Sequence, residues 1–371
     1  MLTHVESHGR ASGIRGRVAE LCYSTGALHS LQRMRSWWQR DLRILAYHRV
    51  MPLPDPATFD FDLELISTTP ERFRAQMLHV KQHFTPVSLG DVAAALNDDN
   101  ALPADAVAIT FDDGYDDNYR IAYPILRELD IPATFFVSTG HIDTGKPFGY
   151  DWLVHMILLT HAPRLVLSEI GMDVPMPHDR GLRRSLAGTV LKNMKSIDAM
   201  KQEAMIERLE QEWRMTSNVR PDDCRPMTWD QVREMHAAGF DIGSHGVYHR
   251  MLAKLSGGLM AEEIRQSKAT LDRELGAPAT LMSYPVGGDR AFDEGVMNAT
   301  RGAGFDLAVC YICGTNPRPA SNRYALLRLP VERMMGPGWF AAMLALPSLV
   351  SYPTAHHPSA HHEPVREQVH A

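Results

Sequence analysis

The chain has 371 residues, of which 44% are hydrophobic and 22% are charged. This composition is globular and excludes a largely disordered chain, and the length allows one large domain or two smaller ones. The formal net charge of −6 provides no basic footprint for nucleic acid, so we expect no nucleic-acid partner.

The cysteine content and the lack of recognisable sorting signals predict the cellular compartment of the protein. Four scattered cysteines do not make a disulfide framework. Cys310 and Cys313 form a C-x-x-C pair, but within an apolar run and without a second pair, which favours buried strand cysteines over a zinc site. The N-terminus lacks the apolar core of a secretory signal, and no run reaches the ~18 apolar residues of a membrane span. We therefore expect a cytoplasmic protein.

Residues 1–41 form the first predicted segment, which is helical from 14 to 40. Leu28, Leu31 and Trp38 recur there at helical spacing. Five arginines surround them, namely Arg15, Arg17, Arg33, Arg35 and Arg40. Two interpretations stay open: a helix packed on the domain, or a basic, aromatic-tipped segment that rests peripherally on the inner membrane.

Short apolar runs then recur through residues 42–340 and predict buried strands. They are Ile44–Tyr47, Val107–Phe111, Ala133–Val137, Phe240–Gly243, Thr280–Tyr284 and Leu307–Tyr311. Runs of this kind, separated by crossovers, indicate a parallel α/β sheet or barrel.

Other stretches of the chain have different patterns. Residues 151–215 show helical patterns without strand signals, which predicts a helical insertion. One later helix is well marked, because Ile264, Leu271 and Leu275 share a face and Gly276 follows as a stop. Residues 341–371 are predicted to be a disordered tail, whose histidines leave metal capture as a minor alternative.

Two adjacent carboxylates directly follow one predicted strand, in the run Thr110-Phe-Asp-Asp-Gly-Tyr-Asp-Asp-Asn-Tyr119. The carboxyl ends of strands are where α/β proteins place their sites. Neighbouring strand residues point to opposite faces, so Asp112 and Asp113 share a site only if the chain bends, which Gly114 permits. One carboxylate could then bind a metal while the other moves a proton. A solvated turn, an EF-hand loop and a phosphate-accepting aspartate stay open, although the tyrosines break the EF-hand pattern.

Two histidines follow another predicted strand, in Asp241-Ile-Gly-Ser-His245-Gly-Val-Tyr-His249. If the strand ends at Ser244 and a helical turn begins, the spacing of four places both imidazoles on one side. Together with the Asp pair, this pattern indicates a His-His-Asp metal site. Three protein ligands with an open position are typical of catalytic zinc, which lowers the pKa of water to about 7. Zn²⁺ is the favoured metal, with Co²⁺, Ni²⁺ and Fe²⁺ as alternatives.

At these residues the chain resembles the NodB-like polysaccharide deacetylases, carbohydrate esterase family four. Thr110-Phe-Asp-Asp-Gly114 is similar to the first motif of that family, and Ser244-His-Gly-Val-Tyr-His249 to the second. Ile44-Leu-Ala-Tyr-His-Arg-Val50 is similar to the opening strand of many members, so the likeness runs from about residue 42 to 335. The resemblance implies a distorted (β/α)₇ barrel and hydrolysis of N-acetyl groups on sugars.

The resemblance also assigns roles to individual residues. It implies that Asp112 is the general base that activates water, and that Asp113, His245 and His249 bind the metal. The backbone N–H of Tyr115 would stabilise the oxyanion of the tetrahedral intermediate, a contribution of roughly 3 kcal/mol per donor.

Two departures from the family pattern leave positions to be filled. Ser283, in Ser283-Tyr-Pro-Val-Gly287, stands where the third motif has the arginine that steers the base. Arg328 is the candidate replacement, because a base near a metal needs a cation or donor to hold it. The fifth motif's histidine, which protonates the leaving amine, is also missing. His48, at the end of the first strand, is one candidate acid, and a proton returned by Asp112 is another.

The preferred hypothesis is an N-deacetylase acting on an acetamido sugar in a polysaccharide, an oligosaccharide or a lipid-linked precursor. Two alternatives remain. Relatives on the same barrel cleave ring amides, so a cyclic amide or imide hydrolase is one. A metal- or glycan-binding scaffold without turnover is the other, because the usual arginine and histidine are missing.

Overall fold

The structure is a computed structural model that describes residues 14–98, 102–216, 222–317 and 322–350. Its strands, in chain order, are β1 (Arg43–Tyr47), β2 (Arg49–Val50), β3 (Ile66–Thr68), β4 (Thr85–Val87), β5 (Ala106–Phe111), β6 (Thr134–Val137), β7 (Arg164–Leu167), β8 (Met172–Pro175), β9 (Asp241–Ser244), β10 (Leu281–Ser283), β11 (Leu307–Cys313) and β12 (Leu326–Pro330).

The helices of the same ranges are α1 (Ile14–Ser24), α2 (Ala27–Trp38), α3 (Pro70–His83), α4 (Leu89–Asp98), α5 (Tyr123–Leu129), α6 (Thr139–Thr144), α7 (Gly149–Leu159), α8 (Arg180–Met194), α9 (Ala199–Trp213), α10 (Trp229–Ala237), α11 (Gly257–Leu275), α12 (Glu294–Gly302), α13 (Pro337–Ala345) and α14 (Pro347–Val350). A π-helical turn, Asn118–Ala122, leads into α5. None of these described helices combines the length and the apolar composition that crossing a membrane requires.

Seven parallel strands close into a ring at the centre of the fold. Their order is β1-β12-β11-β10-β9-β6-β5, and β5 pairs back to β1. β4 pairs with the first half of β5, next to β6, and lies outside the ring. The expected (β/α)₇ barrel is therefore confirmed.

All six predicted strands are ring strands, and the seventh, β12, is the one that the apolar runs missed. β12 reads Leu-Leu-Arg-Leu-Pro, so that Arg328 interrupts an otherwise apolar run. That side chain is nevertheless fully buried in the structure. Cys310 and Cys313 are buried in β11 as thiols, where strand cysteines were expected.

The N-terminal segment consists of two helices instead of one, because Gly26 adopts a left-handed φ of +73° between α1 and α2. Both helices contact the barrel. On α1, the Glu20 carboxylate accepts a hydrogen bond from the Gly338 N–H at 2.9 Å. On α2, the Gln32 amide donates to the His83 carbonyl at 2.6 Å. These contacts are those of a segment packed on the domain.

The insertion at residues 151–215 is only partly helical, which corrects the sequence interpretation. β7 and β8 form an antiparallel hairpin between α7 and α8. Its first strand alternates exposed and buried residues over only four positions, too few for the pattern to stand out. Buried side chains from the hairpin and from helices α7 to α9 form a separate hydrophobic cluster, which includes Leu153, Leu165, Val190 and Leu209.

The predicted boundary at residue 340 is wrong. α13 continues to Ala345, its apolar side chains are buried, and the Arg43 guanidinium donates to the Leu344 carbonyl at 2.8 Å. The run Pro337–Ala345 is apolar on every side, so it lacks the amphipathic period that marks a helix in sequence. Residues 341–350 therefore belong to the fold, and the remaining predicted tail, 351–371, lies outside the described residues.

Candidate metal centre and active site

The two adjacent carboxylates lie just beyond the carboxyl end of β5. Asp113 has a φ of +75° and Gly114 a φ of +84°. A left-handed conformation is uncommon at a non-glycine residue, although aspartate adopts it more readily than most, and strained residues of this kind cluster at functional sites. The bend that the sequence required thus begins at Asp113 itself, and it gives the two aspartates different surroundings.

Asp113 meets two imidazoles that arrive from the carboxyl end of β9. His249 Nε2 lies 3.3 Å and His245 Nε2 lies 3.5 Å from Asp113 Oδ1. One donor atom from each residue lies within 4.8 Å of the other two. Both Asp113 oxygens are buried without a hydrogen-bond partner within the described ranges. A buried carboxylate in that state needs a cation, and two imidazoles with one carboxylate suit Zn²⁺.

A hydrogen bond at the other ring nitrogen of His245 orients its imidazole toward Asp113. Its Nδ1 lies 2.8 Å from the Ser283 carbonyl oxygen and so carries the proton that it donates. Nε2 is then left with a free lone pair on the side of Asp113.

The loop between the two histidines does not form the helical turn that the sequence analysis assumed. β9 ends at Ser244 as expected, but Gly246 has a φ of +75° and His249 a φ of +55°. The imidazole centroids nevertheless lie 4.9 Å apart. A loop with two residues of left-handed backbone conformation therefore brings the histidines together. Their proximity was predicted correctly, but the helical turn on which the prediction rested is absent from this loop.

Glu263 holds this loop, and the sequence offered no signal for it. Its Oε1 accepts hydrogen bonds from the Val247 N–H at 3.0 Å and the Tyr248 N–H at 2.7 Å. The Arg250 guanidinium lies 3.2 Å from the Glu263 carboxylate and also forms an ion pair with Glu203 on α9 of the insertion. Glu263 belongs to α11 and follows Glu262 directly, so the sequence favours an exposed position for it, yet it is buried.

Asp112 faces Arg328, as the sequence analysis expected. The guanidinium donates to Asp112 Oδ1 at 2.9 Å and to Oδ2 at 2.6 Å. Burial acts to raise the pKa of Asp112, but the charge of Arg328, aided by His245, outweighs it and holds the pKa below its ordinary value. Arg328 also donates to Ser283 Oγ at 3.1 Å, so the small residue at the third-motif position is itself a contact of the arginine.

His48 lies on the same rim, just beyond β1. Its ring centroid is 5.1 Å from that of Tyr311, and the residue is half-buried. Burial lowers the pKa of His48, while the negative charges of Asp113 and Asp112 act in the opposite direction. His48 therefore interacts electrostatically with both carboxylates of the site.

Tyr115 lies directly after the bend. The neighbouring Asp116 N–H donates to the Arg225 carbonyl, whereas the Tyr115 N–H donates to no backbone oxygen in the described part of the chain. Its phenol is buried and donates to Asp151 Oδ2 at 3.1 Å. The side chain thus anchors the loop, and the N–H is left for another acceptor.

Tyr150 is a further residue that sequence reasoning missed. Its ring centroid lies 5.1 Å from that of His249, and its hydroxyl lies 3.2 Å from the Tyr115 hydroxyl. It stands at the start of α7, where a tyrosine among apolar residues looks like part of the core. In the structure it packs beside His249 of the candidate metal centre.

Comparisons with known proteins place this site in a family. Residues 99–308 match the family model described as "Polysaccharide deacetylase", and the chain belongs to that family. One curated relative is "Putative polysaccharide deacetylase YxkH" of Bacillus subtilis, 23% identical over 257 residues, which cover 68% of this chain and 61% of that protein. Another is "Poly-beta-1,6-N-acetyl-D-glucosamine N-deacetylase" of Escherichia coli, 28% identical over 145 residues, or 39% of this chain and 19% of that protein.

A solved structure supports the fold. The Streptococcus pyogenes deacetylase PplD, in complex with acetate, superposes with a TM-score of 0.54 at 19% identity, covering 84% of this chain and 99% of that one. At this identity the likeness concerns the fold. The two curated relatives extend beyond the region they share with this chain, which matches about three fifths of one and a fifth of the other.

Proposed function

We propose that this chain is a metal-dependent N-deacetylase that hydrolyses the acetamido group of a glycan. The observation that carries the proposal is the different environment of two adjacent carboxylates. Asp112 is neutralised by Arg328, whereas both oxygens of Asp113 lie beside two imidazoles without hydrogen-bond partners. Such a pair provides a proton acceptor and a metal ligand one peptide apart.

Asp113, His245 and His249 would hold the metal. A bound divalent ion would polarise the acetamide carbonyl and lower the pKa of a water molecule. Zn²⁺ is the proposed ion on the basis of the ligand set, and Co²⁺, Ni²⁺ and Fe²⁺ share the same preferences.

The other residues act on protons and on developing charge. The Asp112 carboxylate accepts a proton from the attacking water while Arg328 keeps both of its oxygens in place. The Tyr115 N–H is available to the carbonyl oxygen as negative charge develops there, and such a donor contributes roughly 3 kcal/mol. His48 is proposed to protonate the leaving amine, because it stands on the same rim and is coupled to both aspartates.

The substrate class is proposed from the family and from its named members. Those include enzymes named for removal of N-acetyl groups from poly-β-1,6-N-acetyl-D-glucosamine. An N-acetylated glycan, free or lipid-linked, is therefore the proposed substrate. Tyr150 beside the metal ligands offers an aromatic surface against which a sugar ring can pack.

Acetate release tests the proposal. The full chain is stripped with a chelator, reloaded with Zn²⁺, Co²⁺, Ni²⁺ or Fe²⁺, and given β-1,6- or β-1,4-linked N-acetylglucosamine oligomers, with a cyclic imide assayed in parallel. Asp112→Asn and His245→Ala are compared with the wild type. Asp230→Asn is the matched control, because that carboxylate is 93% exposed.

We expect metal-dependent acetate release that falls by about 100-fold or more in both site variants and is unchanged in the control. His245→Ala should also lose bound metal, whereas Asp112→Asn should retain it. Release that survives complete chelation would contradict the proposal. Cleavage of the imide alone would indicate a ring-amide hydrolase, and bound metal without turnover would indicate a scaffold.

A further inference from the structure

The outer face of α1 carries an apolar stripe. Ile14, Val18 and Leu21 are 81%, 53% and 64% exposed. At 3.6 residues per turn these three side chains fall within about 60° of one another around the helix. Aliphatic side chains grouped in this way on a surface mark an interaction site more often than isolated exposed ones do.

Basic residues flank the stripe on both sides. Arg15 and Arg17 are exposed and lie about 90° and about 70° from its centre, in opposite directions. Glu20, the acidic residue of α1, lies on the other side of the helix and accepts its hydrogen bond from the Gly338 N–H. The outward surface of α1 is therefore apolar in the middle and positive at its edges.

These aliphatic side chains are not what attaches α1 to the barrel. The buried residues of α1 are Gly16 and Ala19, on the face opposite the stripe. A Cβ added at Gly338 on α13 would lie 2.6 Å from Glu20 Cα, so the two backbones are in close contact. Small residues thus dock α1, and its three large aliphatic residues stay exposed within the described part of the chain.

We propose that α1 docks this protein on an anionic lipid surface, with the aliphatic stripe entering the apolar layer and the flanking arginines contacting headgroup phosphates. The following helix, α2, also exposes Leu31 and Met34. Residues 14–41 contain five arginines, Glu20 and Asp41, of which Asp41 pairs with Arg35, so this segment is still net positive in a chain whose net charge is −6. The positive charge favours an anionic bilayer as the partner. A second copy of α1 would instead bring like charges together.

Vesicle binding by the full chain tests the proposal. Co-sedimentation is measured with vesicles of phosphatidylcholine alone and of phosphatidylcholine mixed with phosphatidylglycerol, at low and high salt. We expect binding to the mixed vesicles that weakens as salt rises. Arg15→Gln with Arg17→Gln should lower the partition coefficient about 30-fold, and Leu21→Gln should lower it about tenfold or more.

The controls separate lipid binding from other causes. Leu182→Gln changes a leucine that is 60% exposed on α8 and should leave binding unchanged. Acetate release and circular dichroism should match the wild type in every variant, which shows that the fold is intact. Failure of the full chain to bind the mixed vesicles, or equal binding to both lipid compositions, would overturn the proposal. Concentration-dependent dimerisation that Leu21→Gln abolishes would instead identify a second copy as the occupant.

Discussion

Replacing Arg328 by methionine tests how the proposed base is held. The guanidinium makes five hydrogen bonds, two to Asp112 and one each to Thr110 Oγ1, Ser283 Oγ and the Cys310 carbonyl. The side chains of the ion pair are 0% and 3% exposed. Removing the cation therefore leaves a buried carboxylate without a counter-charge.

The cost follows from that burial. Breaking a buried ion pair by removing one partner costs about 3–5 kcal/mol. This is a large share of the ~5–15 kcal/mol by which native domains are stable, so we expect a folded protein with a much lower urea midpoint. The double variant Asp112→Asn, Arg328→Met removes both charges and should recover much of the lost stability, giving a strong interaction energy in a double-mutant cycle.

Turnover should fall further than stability alone explains. A positioned acid or base contributes about 10²–10⁴-fold to rate, so Arg328→Met, assayed under conditions where it is folded, should lose about 100-fold in kcat. Arg328→Lys keeps the charge but cannot donate to both carboxylate oxygens at once, and an intermediate rate is expected. If folded, metal-loaded Arg328→Met releases acetate at the wild-type rate, the reasoning about Asp112 is refuted.

Three further predictions concern other parts of the fold. Glu263→Gln should weaken Zn²⁺ binding about tenfold or more, measured by competition with a chelator, because it loosens the loop between the two proposed histidine ligands. Unchanged affinity alongside a lower melting temperature would show a purely structural role. Burial, with the charge of His83 and of a further histidine, lowers the pKa of His79 to about 4. Protonation of His79 therefore does not reduce the free energy of unfolding above its unfolded pKa near 6.5. As pH falls from there to about 4, the free energy of unfolding decreases by up to about 3 kcal/mol. His79→Gln should flatten the fall of urea-measured stability across this window, and an unchanged slope would contradict the assignment. Gly243→Ala places a Cβ 2.6 Å from the Phe136 ring and 2.8 Å from the Leu281 carbonyl oxygen, and it should cost about 1–3 kcal/mol by thermal unfolding, whereas a neutral effect would show that both the ring and the neighbouring strand move aside.

Local patterns in the sequence were sufficient for much of the barrel. The six predicted ring strands are largely apolar runs because they are mostly buried on both faces, and the one charged residue within these runs, Asp241, stands at the start of β9. The marked helix also ended where expected, since α11 stops at Leu275 and Gly276 adopts a left-handed φ of +65°. These features depend on neighbours in the chain, which a sequence displays directly.

Local patterns failed where a distant partner decides the outcome. β12 went unpredicted because Arg328 breaks its apolar run, and that arginine is buried only because Asp112 lies across the barrel. The hairpin β7–β8 is too short for its alternation to be visible. α13 was taken as the start of a tail, because a helix buried on all sides has no amphipathic period.

The candidate site likewise combines features that the sequence displays locally with features that depend on contacts between distant segments. By itself, the sequence determined which side chains are candidates for the chemistry, since Asp112, Asp113, His245 and His249 stand in two short motifs directly after strands. The tertiary structure alone decided how these side chains are held. The loop after β9 has left-handed residues, and Glu263, which belongs to no recognised motif, accepts two backbone hydrogen bonds from it. The physical reason is that the type of a ligand is a property of one residue. Its position near another ligand depends on strand pairing and on buried hydrogen bonds between segments far apart in the chain.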